Sequence, residues 1–201
     1  MKRLALLAAL VPGAAHAHAF STGRDAYGAF LEGAGVILAT PGLILPLAAL
    51  AVTLALWKAD GMMAAWPAFL IGQVAGMALA PLVGPWIALV PLAFGLVLGG
   101  LAAVAPLGRL GPALPVLAGL MGGVVMAASL EGHTVTEIGV AIRLGLFVAA
   151  NIATAAIAGL ARSMLERWDG EVTRIGWRVA ASWIAAILVL YLAFAMTGAT
   201  A

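Results

Sequence analysis

Six apolar blocks, each close to the length of a bilayer crossing and separated by short polar joints, limit what this chain can become. They run at about 35–57, 64–83, 86–105, 111–130, 138–162 and 176–197, each bounded by Gly, Pro or a charge. A bilayer's hydrocarbon core is about 30 Å thick and takes about 20 helical residues to cross. Backbone groups in hydrocarbon must find partners within their own segment, and these runs lack the alternation of about ten residues that marks a membrane barrel. Composition closes off the soluble alternative. With 65% of 201 residues hydrophobic, 9% charged and a mean hydropathy of +1.15, the chain cannot bury its apolar surface as a globule in water. The expected fold class is all-α: a polytopic integral membrane protein, a bundle of six transmembrane helices whose first partner is the lipid bilayer.

The first residues read as a targeting segment rather than a seventh span. Lys2 and Arg3 precede an apolar run from Leu4 to Val11, too short to cross, and Pro12, Gly13 and small residues follow. Cleavage registers end at Ala15, Ala17 and Ala19. The Ala17 register is adopted, giving a signal peptide over 1–17 and a single transmembrane domain over 18–201. A cleaved signal puts the mature N-terminus outside the cytoplasm, and the charges agree. Lys58, Arg109, Arg162, Arg167, Arg174 and Arg178 fall on expected inside connections or helix ends, against Arg24 alone in the outside N-terminal segment. The expectation is a bacterial inner-membrane protein with both mature termini in the periplasm. The net charge of +2 comes from basic residues that mark membrane ends, so no nucleic-acid partner is inferred.

Gly72/Gly76, Gly95/Gly99 and Gly119/Gly123 are small-xxx-small pairs expected to let helices pack closely within the bundle. Pro41, Pro46 and Pro91 are expected to kink or break their helices. Residues 163–175, with Glu166, Asp169, Glu171, Arg167 and Arg174, read as a solvated cytoplasmic loop.

Ionisable residues at membrane depth are costly, so each is a functional candidate. Arg143 is placed about a turn and a half into the fifth helix, with Asn151 and Thr154 on roughly the same face. Glu32, Glu131, His133 and Glu137 are placed at the same outer level. Glu131, His133 and Glu137 are candidate ligands for a divalent cation, with Glu32 as a possible fourth, although their spacing fits no specific metal motif. A structural reading stands beside it, in which Arg143 snorkels to the interface or pairs with Glu137 or Glu32 to lock the bundle. Gln73, deep in the second helix, joins Glu32, Arg143, Asn151 and Thr154 as a polar pathway or as interhelical hydrogen-bonding groups. Cleavage after Ala15 leaves His16-Ala17-His18, a terminus able to hold square-planar Cu(II) or Ni(II), and cleavage after Ala17 leaves an N-terminal His18 chelate. No cysteine, Ser-His pairing, HExxH motif or pair of intramembrane carboxylates suggests an enzyme.

The layout resembles the HupE/UreJ family, hydrogenase and urease accessory proteins regarded as nickel or cobalt permeases. A short signal ending Ala-His-Ala-His is followed by six helices. The family's first helix carries a pattern like His-Pro-x-x-Gly-x-Asp-His, then Gly-Leu-Trp. Here Thr40-Pro41-Gly42-Leu43-Ile44-Leu45-Pro46-Leu47 precedes Ala55-Leu56-Trp57, so the proline and Leu-Trp match while Thr40, Pro46 and Leu47 replace the expected ligands. Where the family's fourth helix ends in a His-Gly-x-Ala-His-Gly-x-Glu type segment, this chain reads Ser129 to Glu137 and keeps one histidine and two acids. The resemblance implies a permease or accessory protein for a transition-metal cation, with a transiently bound Ni or Co ion. It also implies metalloenzyme maturation proteins or a membrane complex as partners. The alternative is a non-transporting assembly subunit that has lost the metal site. No ATP-binding motif is present, so transport would be passive, secondary or dependent on a partner.

Overall fold

The computed structural model describes residues 25–131, 133, 137–168 and 170–198. Every regular element among them is helical: α1 (Ala26–Ala39), α2 (Pro41–Trp57), α3 (Gly61–Leu79), α4 (Leu89–Val104), α5 (Leu114–Ser129), α6 (Val140–Arg167) and α7 (Glu171–Gly198), with 3-10 turns at Ala80–Leu82, Pro85–Ala88 and Leu107–Ala113. Among the described residues five continuous helical stretches are long and apolar enough to cross a membrane, or six where the bent pair α1 and α2 counts as one span. The protein is a membrane-embedded helical bundle.

Proline chemistry explains the bent pair. A residue before proline is pushed out of the helical region, and Thr40, preceding Pro41, adopts φ −97° and ψ 107°. The chain turns by 69° there. Asp25 starts α1, its carboxylate accepting from the Gly28 amide at 2.7 Å. At 14 residues, about 21 Å, α1 is too short to span alone. The expected single helix over 35–57 is therefore two helices, the first starting nine residues earlier than expected. Pro46 lies within α2, which continues through it to Trp57. Pro91 causes no break because it is the third residue of α4, where amides have no intrahelical acceptor.

The bundle has a centre. Residues Leu43, Leu47, Ala49, Leu50, Ala51, Val52, Leu54 and Ala55 of α2 are all at most 5% exposed. Around α2 stand three tightly packed pairs: α3 with α5, α1 with α6, and α4 with α7. Glycine makes these approaches possible. A Cβ on Gly72 would collide with the Gly119 carbonyl and one on Gly76 with the Gly123 carbonyl, so two of the three small-residue pairs seal α3 against α5. Gly95 and Gly99 serve α4 likewise, Gly95 against Pro46 and Gly99 against Ala181 and Ala185. Gly33 rests on the Ile142 carbonyl and Gly145 on that of Phe30, bringing the backbones of α1 and α6 into contact.

The expected loop over 163–175 is mostly helix. α6 runs to Arg167 and α7 begins at Glu171, each 28 residues or about 42 Å long, so both overrun a hydrocarbon core of about 30 Å. Charges compatible with solvent are equally compatible with helix ends outside the membrane, and Arg162 bonds Glu166 at 2.7 Å, one turn apart.

Candidate functional site

The deepest polar contact joins α3 to α6. Asn151 Nδ2 donates to Gln73 Oε1 at 2.7 Å and to the Phe147 carbonyl at 2.8 Å. Gln73 is 0% exposed and Asn151 8%. Gln73 reaches its partner by passing over Gly122 of α5, where a Cβ would come within 3.1 Å of its Cγ. One turn beyond Asn151, Thr154 is also fully buried, its hydroxyl donating to the Ala150 carbonyl at 2.7 Å. Thr154 is thus satisfied by its own helix, whereas the amide pair ties two helices that otherwise share little surface.

Sequence reading placed Gln73 and Asn151 at depth without pairing them. A stronger signal was present: Gln73 is the chain's one glutamine and Asn151 its one asparagine. Sole amides buried in adjacent helices are each other's available partners. Thr53 was missed altogether. It is fully buried at the bundle centre, and its hydroxyl donates to Ala49 O at 2.7 Å with Leu98 O at 3.3 Å, tying α2 towards α4.

Towards the end of the bundle where α6 begins, Glu32 of α1 and Arg143 of α6 each neighbour in sequence the Gly33–Ile142 contact. Because α6 begins at Val140, Arg143 lies in its first turn and not a turn and a half in. A cation is disfavoured at the positive end of a helix dipole, and its Nε is buried without a hydrogen-bond partner. Arg143, Asn151 and Thr154 follow one another inward along α6, with Asn151 and Thr154 buried and Arg143 partly so.

Glu131 and His133 lie beyond the end of α5, and Glu137 just before α6. Burial raises the Glu131 carboxyl pKa above its ordinary value. His133 Nδ1 lies 3.0 Å from the Glu131 carbonyl oxygen. Because a carbonyl only accepts, Nδ1 carries a proton and donates. Among the described residues no three His, Cys, Asp or Glu side chains come together as a group able to hold a metal ion. Glu131, His133, Glu137 and Glu32 are therefore not gathered into the ligand set expected from sequence, because α1, the end of α5 and the start of α6 contribute them separately. His18 lies outside the described residues.

No family model, curated protein or solved structure matches the chain. Its function must be argued from its own residues.

Proposed function

We propose that this chain is a HupE/UreJ-like inner-membrane permease for a transition-metal cation of the nickel or cobalt class. Its outer polar residues act as the entry, and Arg143, Gln73, Asn151 and Thr154 mark the route. The orientation that fits the arginine distribution puts both mature termini in the periplasm. The observation carrying the reading is the amide pair, because the chain's only two side-chain amides meet in the bundle interior with polar capacity to spare. Polar groups at membrane depth are expensive and tend to mark solute pathways.

Two further features support a cation as cargo. The His133 Nδ1 contact with a backbone carbonyl is of the kind that commonly orients metal-binding imidazoles. The break at Thr40 creates a half-helix end at Ala39, whose terminal carbonyls carry partial negative charge, a device that transporters use toward cations. Binding would draw Glu131, His133 and Glu137 together at the outer face. The test is metal binding and uptake by the purified protein with these three replaced. Loss of Ni or Co binding is expected, whereas unchanged affinity for Ni, Co, Cu and Zn sinks the site.

The second reading is a non-transporting assembly subunit, favoured by the lack of a gathered ligand group among the described residues. Purification in mild detergent distinguishes the two. A stoichiometric partner protein without metal uptake supports the assembly role.

A further inference from the structure

The two amides have more hydrogen-bonding capacity than they use on each other. Asn151 commits Nδ2 to both Gln73 Oε1 and the Phe147 carbonyl. Since the Phe147 carbonyl can only accept, the nitrogen end of Asn151 is fixed, and Gln73 must then offer its oxygen. What remains is Gln73 Nε2, with N–H donors, and Asn151 Oδ1, an acceptor, both buried and without a hydrogen-bond partner in the protein.

Neither atom can turn to bulk solvent, because Gln73 is 0% and Asn151 8% exposed. Buried polar groups that lack a protein partner are commonly completed by an internal water with two to four hydrogen bonds. A donor and an acceptor on hydrogen-bonded amides select the chemistry of the guest. A bare cation is repelled by the N–H, an anion by Oδ1, and an acyl chain satisfies neither.

We propose that Gln73 and Asn151 hold an internal water molecule between α3 and α6, accepting from Gln73 Nε2–H and donating to Asn151 Oδ1. The Phe147 carbonyl, by fixing the Asn151 orientation, keeps the acceptor turned toward the guest. The inference rests on amide geometry and does not need the permease reading. If that reading holds, this water is one step of a hydrated route.

The composition makes the test direct. In the full-length protein, 15N labels on Asn and Gln side-chain amides give one NH2 group each, without substitution. Cross-relaxation with water is measured in detergent micelles and again with a chelator. The expected result is a water cross-peak at the Gln73 amide that survives the chelator. A Gln73 amide without a water cross-peak overturns the proposal. A cross-peak abolished by the chelator also overturns it, because the guest is then the hydration shell of an ion. The readout is hydration and not flux, so failed metal uptake leaves it standing and a dry amide pair leaves the uptake question to its own experiment.

Discussion

Asn151 depends on Gln73 in a way that substitution can measure. Asn151→Leu strands the Gln73 amide in the bundle, and a stranded buried amide costs about 1–3 kcal/mol, toward the low end if the unfolded state in the membrane finds other partners. Thermal unfolding in detergent should show a lower Tm for N151L and for Q73L. The double variant should lose less than the sum, because the second change removes the group left stranded. Glu131 makes the opposite prediction. Its carboxyl pKa is raised above 4.5 by burial, so the folded state holds the proton more tightly than the unfolded state. Stability is greatest below the unfolded value and falls as pH rises towards the folded one. E131Q should therefore match the parent Tm in acid and exceed it at neutral pH, as pH-resolved thermal unfolding would reveal. The sequence made the depth of Gln73 and Asn151 legible from their place inside apolar blocks. It did not reveal their contact, which depends on α3 and α6 being neighbours and on Gly122 leaving room.

Glycine decides how the elements meet. At Gly72 a Cβ runs into the Gly119 carbonyl, whereas Gly100 has open space within 4 Å. Gly72→Ala should force α3 away from α5 and lower Tm by several degrees. Gly100→Ala should be neutral or raise Tm, since alanine is better than glycine in a helix interior by about 1 kcal/mol. Paired melting curves check the contrast. Five of the six apolar blocks proved legible because block length and charge placement are local properties. The first block misled because Gly35 to Ala39 continues the apolar character across a break made by Thr40 and Pro41. The ends of α6 and α7 misled for the converse reason: a charged, amphipathic helix end outside the membrane has the composition of a loop.

At the scale of the molecule, α2 forms a buried post and the three pairs surround it, with α3 and α5 sharing one apolar core with α2 and tied to α6 by the Gln73–Asn151 bond. Among the described residues no three His, Cys, Asp or Glu side chains come together, so Glu131, His133, Glu137 and Glu32 are not seen as one group. The central claim is that a water-filled solute route runs inward along α6 past the amide pair to Thr154. The chain has no cysteine, so a single introduced thiol can report on it. Thr154 is buried, whereas Ile152, two residues earlier on the same helix, is 62% exposed on the bundle's outer surface. A thiol reacts as thiolate, which forms only where water is present. T154C and I152C in proteoliposomes are treated with a membrane-impermeant cationic methanethiosulfonate. The account predicts that T154C is modified many times faster than I152C. Equal resistance of both thiols would show that no aqueous route reaches Thr154 and contradict it.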